Sequence, residues 1–296
     1  MDRVHRPIVI VSRCAGFAAL GVAWTACTAA AQPIAVVNAG FESNIAPPGG
    51  YAIVVPSGWT LHDPSGIVDQ SGDAVGAINA SSPNTFYPGG APEGNQAALI
   101  YLATDRGRGE VGLRQTTAAV LQPRTRYTLV VEVGNIASGF GPPGNTFYNL
   151  NGFPGYRIDL FAGATLIARD ANSLAASIPE GQFRTSTLVV EIGAQHAALG
   201  LPLSVWLVNL NVPGPAQAPG IEVNFDHVRL SSMPLGPQCR ADFNEDGFVD
   251  GFDYDEFVAC FEGGACPPGQ TADFNNDGFA DGFDYDEFVA AFESPC

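Results

Sequence analysis

The chain of 296 residues has no lysine. All 13 of its basic residues are Arg, set against 30 acids, for a formal net charge of −17. Such a chain repels phosphate backbones and anionic lipid heads, which excludes nucleic acid as a partner. Charged residues make up only 15% of the sequence and hydrophobic ones 46%, so it is no disordered polyampholyte and has the means to build a core. Histidine is also scarce: His5, His62, His196 and His227 fall at no metal-ligand spacing. No G-x-S-x-G occurs, and no cysteine beyond residue 27 has a His partner in a recognisable arrangement. Residues 107–112 spell G-x-G-x-x-G, but Arg108 and Glu110 crowd the turn and no alternating βαβ pattern follows, which excludes a dinucleotide site. Glu132 and Glu191, a conceivable glycosidase pair, fall at the polar phase of ordinary strands.

Glycine and proline are abundant, at 35 and 23 residues, close to a fifth of the chain where roughly an eighth is usual. That argues against a mainly helical protein and for a loop-rich β fold. The six cysteines are unevenly placed. Cys14 and Cys27 lie near the N-terminus, Cys239, Cys260, Cys266 and Cys296 near the C-terminus, and none lies between. Charge follows the same division: residues 239–296 hold 15 acids against Arg240 alone, a net charge of −14. This asymmetry marks a separate C-terminal module, 239–296, behind a short linker, 233–238.

At the N-terminus, Arg3, Arg6 and Arg13 precede 18 uncharged residues that end in Ala29-Ala30-Ala31. This is the layout of a secretory signal peptide over 1–31, a basic start, an apolar centre and a small-residue cleavage site. A membrane anchor and a lipid-modified Cys27 are the rival readings. No other segment is long and apolar enough to span a bilayer. The expectation is an exported mature chain with no membrane span, in a compartment where four cysteines form disulfides.

Residues 33–232 alternate with period two in short runs. Tyr127, Leu129, Val131 and Val133 interleave with polar or smaller residues, as do Leu188, Val190 and Ile192. Further runs at 97–102, 156–161, 165–169, 203–210 and 221–230 predict at least seven strands in one sandwich or jelly roll. In the last run the inward phase is odd at Val223 and Phe225 and even at Val228 and Leu230, which predicts a bulge near Asp226. The opening Val37-Asn38-Ala39-Gly40-Phe41-Glu42, then Pro56-Ser57-Gly58-Trp59, Gln115, Leu121-Gln122-Pro123 and the closing Phe225-Asp226-His227-Val228-Arg229-Leu230, resemble galactose-binding-like jelly rolls. That superfamily includes many carbohydrate-binding modules. The resemblance implies that Glu42 and Asp226 lie together near a structural Ca²⁺; a surface-turn Glu and a bulge Asp are the alternative. Glycan recognition calls for flat rings on loops, and 135–156 offers Phe140, Phe147, Tyr148, Phe153 and Tyr156 as a ligand loop, or as a lid packed on its own sandwich.

The C-terminal module is a repeat: 241–262 recurs at 272–293 with a period of 31. Counting from Asp242, the first copy sets Asp242, Asn244, Asp246, the carbonyl of Phe248, Asp250 and Asp253 at positions 1, 3, 5, 7, 9 and 12 of a calcium loop, with Gly247 at the sharp turn. The second sets Asp273, Asn275, Asp277, Phe279, Asp281 and Asp284 likewise. Asp253 with Glu256, and Asp284 with Glu287, have the spacing of capped helix starts, and Phe257/Phe261 and Phe288/Phe292 give each following helix one apolar stripe. Asp at position 12 and a single helix after each loop resemble dockerin, in its GC-type variant, which implies two Ca²⁺ and a cohesin-like surface partner. Phe252 and Phe283, at position 11, are candidate partner contacts or core. Cys239 with Cys296, clasping the module's ends, and Cys260 with Cys266 is the pairing expected among three connectivities.

The resulting expectation is a mainly β protein: a jelly roll followed by a small α-helical tandem calcium module. Its expected role is that of a secreted, non-catalytic protein, with a jelly roll suited to glycan, anchored through the module. A polysaccharide hydrolase, or a structural surface protein, on the same anchor is the alternative.

Overall fold

Runs in which β-branched and aromatic residues alternate with polar ones cannot bury a single face until they pair, and their pairing sets the architecture. The computed structural model describes residues 30–43, 45–68, 72–81, 86–141, 145–235, 239–245 and 248–294. The signal segment expected over 1–31 lies almost wholly outside the described residues, as do Asp246 and Cys296. No helix among the described residues is long and apolar enough to cross a membrane.

Among the described residues, fourteen strands and two helices follow in chain order. They are β1 (Gln32–Ile34), β2 (Tyr51–Ala52), β3 (Thr60–His62), β4 (Ala74–Asn79), β5 (Gln96–Tyr101), β6 (Val111–Val120) and β7 (Thr125–Asn135), then β8 (Gly139–Gly141), β9 (Thr146–Tyr148), β10 (Tyr156–Ala162), β11 (Thr165–Ala171), β12 (Gln182–Ile192), β13 (Pro202–Asn209) and β14 (Glu222–Pro234), and finally α1 (Gly251–Phe261) and α2 (Gly282–Phe292). One sheet runs β12-β7-β14-β5-β4-β2, with β1 also on β14; the facing sheet runs β11-β10-β13-β6-β3. The small hairpin β8-β9 stands apart from both. All pairings are antiparallel, as hairpin-rich connections allow. This is the mainly β, jelly-roll-like sandwich that the period-two runs predict.

The core between the sheets takes Tyr127, Leu129, Val131 and Val133 from β7, Ile158 and Leu160 from β10, and Leu203, Val205 and Leu207 from β13. From β14 it takes Val223 and Phe225, then Val228 and Leu230. The register shifts between Asp226 and Arg229, where His227 adopts φ 48°. The bulge expected near Asp226 is thus present, and it returns the strand's apolar side chains to the core after the extra residue. Trp59 is a core anchor, stacked on Phe41 at 5.3 Å and donating its Nε1–H to the carbonyl of Asn38.

The seven-stranded sheet is buried on its other face as well. There Ala74, Ile78, Phe86, Tyr87, Ala97, Leu99, Ile136 and Leu150 form a second apolar cluster. Burial on both faces is what the continuous apolar runs of β4 and β5 require.

In the C-terminal module, α1 and α2 pack around Phe257 and Phe288, whose rings stack 4.0 Å apart and nearly parallel, with Phe243 and Phe274 edge-on to Phe288. The helices begin three residues earlier than the D-x-x-E spacing implies. Asp250 and Asp281 are the N-caps, and Asp253 and Asp284 reach back to the cap amides as capping-box partners. Cys260 and Cys266 form a disulfide with Cα atoms 4.6 Å apart. Cys239 is also disulfide-bonded.

Candidate active site

β14 brings three polar side chains in a row, Glu222, Asn224 and Asp226, onto the face of the seven-stranded sheet opposite the main core. Alternation dictates this, because Val223 and Phe225 face inward. A half-solvated sheet would leave the polar residues in water. Instead all three are buried: Glu222 and Asn224 lie against the second apolar cluster, and Asp226 lies beside Glu93 and Glu42.

Glu222 forms part of the wall of a cavity of about 300 Å³. Tyr101 lies directly opposite it on β5, and Ala74 lies beyond Tyr101 on β4. Tyr51, Phe86 and Tyr148 supply further rings, and Ile53, Ile78, Leu99, Ile136 and Leu150 supply aliphatic walls. The neighbouring Tyr51 side chain pushes the Tyr148 phenol up to about 12. Glu222 is only 3% exposed. Its removal from water raises its pKa from 4.5 to about 7, against the opposing effect of one hydrogen bond from Asn224. Tyr101 is raised too, by burial and then by the nearby charge of Glu222. The cavity therefore combines an apolar, ring-lined interior with a carboxyl that keeps its proton near neutrality. This is the arrangement of a general acid in a water-poor site.

The residues expected to form a ligand loop separate into three environments. Tyr148 lines the cavity. Phe140 and Phe147 form an edge-to-face pair on the outside of the β8-β9 hairpin, 55% and 56% exposed. Tyr156 is fully buried core, and the partly buried Phe153 packs beside it at 6.2 Å. Tyr156 is turned into the sandwich by its phase at the start of β10, which composition alone does not reveal.

Glu42 and Asp226 do lie together, and Glu93 joins them. Asp226 accepts the backbone N–H groups of Glu93 and His227, while Glu42 accepts those of Asn95 and Gln96. Burial, with the like charges of Glu93 and Glu42, pushes Asp226 up to about 8. In the C-terminal loops, Asp253 accepts the amides of Asn244 and Asp250, and Asp284 those of Asn275 and Asp281. Asp273 accepts from Asp277 and Gly278, and both Asn275 and Asp277 also bond loop amides. The carboxylates expected to ligate Ca²⁺ thus serve their own backbone, and no group of His, Cys, Asp or Glu among the described residues is gathered to hold a metal ion. Phe252 and Phe283, the expected partner contacts, stand in the first turn of each helix, 69% and 71% exposed.

The remaining charged cluster lies on the outer face of the five-stranded sheet. Arg157 bonds Glu110 and Asp159, Arg169 also bonds Asp159, and Glu110 bonds His62. Arg157 holds Glu110 down to about 2. These groups satisfy one another across the strands, which suits a structural network. Glu132 and Glu191 pair with Arg229 and Arg126 and are not a catalytic couple.

Comparison with known proteins places this geometry. Residues 32–231 match the HpiC1-like family, described as HpiC1 cyclase, and the chain belongs to that family. Among solved structures it resembles the Stig cyclase FisC from Fischerella sp. TAU, in complex with (3Z)-3-(1-methyl-2-pyrrolidinylidene)-3H-indole. Identity is 38% over 69% of this chain and 99% of that one, with a TM-score of 0.60. It likewise resembles a cyclase from Fischerella sp. TAU in complex with 4-(1H-indol-3-yl)butan-2-one, at 37% identity over 70% of this chain and 100% of that one, TM-score 0.60. No curated protein matches. A carbohydrate-binding module solved with β-1,4-galactotriose is only 12% identical, at a TM-score of 0.36, too slight a likeness to bear on ligand.

Membership of a cyclase family overturns the expectation of a non-catalytic, dockerin-anchored glycan binder. The jelly roll was legible in the sequence, but its loop aromatics suggested a sugar, whereas the ring-lined cavity lies on the covered face of the larger sheet. The dockerin resemblance rested on the C-terminal 58 residues, and no comparison supports it. Sequence reasoning also missed Glu222 and Tyr101. The signal was there in β5, where Ala97, Leu99 and Tyr101 are as apolar as Ala98, Ile100 and Leu102, a pattern of two covered faces.

Proposed function

We propose that this chain catalyses an acid-initiated cyclisation of an unsaturated, indole-bearing molecule, with Glu222 as the general acid. A carboxyl that stays protonated near pH 7 at the wall of an aromatic cavity is the observation that carries this reading. In an isomerising ring closure, Glu222 gives its proton to an unsaturated centre of the substrate and becomes a carboxylate. A second π bond supplies the electrons for the new carbon–carbon bond. The ring-closed cation then loses a proton to the carboxylate, which restores the acid, so no oxidant or other reactant is consumed. Aromatic faces such as those of Tyr101, Tyr148 and Phe86 stabilise positive charge as it develops, and the scarcity of water protects the cation from capture.

The two liganded Fischerella structures hold indole-bearing molecules, whose apolar rings match the aromatic and aliphatic lining of this cavity. The test is incubation with a panel of 3-alkenyl indoles, following mass-neutral conversion by chromatography and mass spectrometry. Wild type is expected to yield cyclic isomers. Glu222→Gln should lower the rate by roughly 10²–10⁴-fold while still binding 4-(1H-indol-3-yl)butan-2-one, since general acid catalysis is worth about that much. Undiminished turnover by a folded Glu222→Gln protein would overturn the assignment.

A further inference from the structure

Behind Glu222 lies a chain of buried hydrogen bonds whose direction is fixed by the chemistry of its ends. The Asn224 side chain meets three partners: the carbonyl of Ala98 at 3.0 Å, Oε1 of Glu222 at 3.0 Å and the hydroxyl of Tyr87 at 2.7 Å. A backbone carbonyl only accepts. The amide nitrogen of Asn224 must therefore face Ala98, and its two hydrogens go to Ala98 and to Oε1 of Glu222. The amide oxygen is left to accept from Tyr87. Tyr87 is fully buried and clamped by Phe183, stacked at 4.4 Å, so the orientation cannot reverse without breaking two bonds in a packed interior. Oε2 has no hydrogen-bond partner among the described residues.

We infer that Asn224, locked by Tyr87 and Ala98, is a positioning residue that makes Oε1 of Glu222 the carbonyl oxygen and so directs the acidic proton onto Oε2, toward the cavity. Cyclisation is directional: a proton delivered from the wrong oxygen meets the wrong atom of a rigid substrate. The same N–H favours the carboxylate left after transfer, which keeps the acid strong enough to release its proton in so apolar a place. This inference rests on Glu222 being the acid, but its first readout needs no substrate.

The groups facing Glu222 are Tyr101 on β5, Tyr51 on β2, Tyr148 on β9 and Tyr87 behind Asn224. Asp73 lies near Tyr101, and Asp226 lies two residues past Asn224 on β14. Infrared difference spectra of the full-length protein across pH, with Glu222→Gln identifying its band, separate the Glu222 carbonyl stretch from the others. In Asn224→Leu that band is expected to move to higher frequency, because the carbonyl loses its donor. Titration should move up by about one pH unit, since a hydrogen bond to a charged group has been lost. With an indole substrate, kcat should fall about tenfold with KM little changed, and the alkaline limb of the rate profile should move up with the titration. Tyr87→Phe removes a single hydroxyl and serves if the leucine variant does not fold; its band should broaden and shift in the same direction by less.

An unmoved band and an unmoved titration in a folded variant would overturn the positioning role even if Glu222→Gln is inactive. Conversely, a shifted band together with an active Glu222→Gln protein would keep the hydrogen-bond assignment and remove its catalytic meaning.

Discussion

Glu222 in the sandwich and Asp284 in the C-terminal module are both buried carboxyls, and they are driven in opposite directions. Glu222 receives one side-chain N–H amid rings and aliphatic walls, so its pKa rises and it holds a proton. Asp284 receives backbone N–H groups of Asp281 and Asn275 at a helix start, so its pKa falls and it remains an anion. Burial alone therefore does not decide what an acid does; the number and polarity of the donors it meets decide it.

The largest effect expected from breaking this contrast is on stability against pH. Folded Glu222 keeps its proton up to about 7, whereas unfolded it releases it near 4.5. Between those values the folded state binds more protons, so the stability due to this group is complete below 4.5 and is lost as pH rises through 7. The loss amounts to about 3 kcal/mol. Glu222→Gln should lack that component, and relative to wild type it should gain roughly this amount between pH 4 and 8 in denaturant titrations. Equal pH slopes for the two proteins would show that Glu222 is not buried as an acid.

The module supplies the intermediate effect. Asp253→Ala and Asp284→Ala each remove a carboxylate that holds two amides, and each should lower the module's stability by about 1–2 kcal/mol. Loss of helical circular dichroism at lower temperature would register this, with cyclisation unchanged. Melting indistinguishable from wild type would mean that the capping boxes contribute nothing.

The smallest effect sharpens the comparison within one hairpin. Phe140→Ala with Phe147→Ala removes only exposed rings, so stability should change by no more than about 0.5 kcal/mol and affinity for 4-(1H-indol-3-yl)butan-2-one should not change. Tyr148→Ala, one residue away from Phe147 but facing the cavity, should weaken that affinity roughly tenfold, the loss of a ring contact of about 1.4 kcal/mol. Equal responses from the two sides of the hairpin would contradict the placement of the cavity.

Much of the fold was legible because a period of two survives any arrangement of sheets. The runs at 127–133 and 188–192 became β7 and β12, and the phase switch in 221–230 became a bulge. The repeat at 241–262 and 272–293 became two helices with related caps. The site was not legible, since alternation says which residues share a face and not what covers that face. Glu222 is enclosed by Phe86, Leu99, Ile136 and Leu150, contributed by segments far apart in the chain, and no local pattern announces that.

The sequence by itself determined the strands, the bulge, the acidic C-terminal repeat and the absence of standard catalytic motifs, all of which depend on near neighbours along the chain. Only the tertiary structure decided which of many carboxyls keeps its proton. That property depends on desolvation and on the few donors left in reach, quantities that exist only once distant segments have packed together.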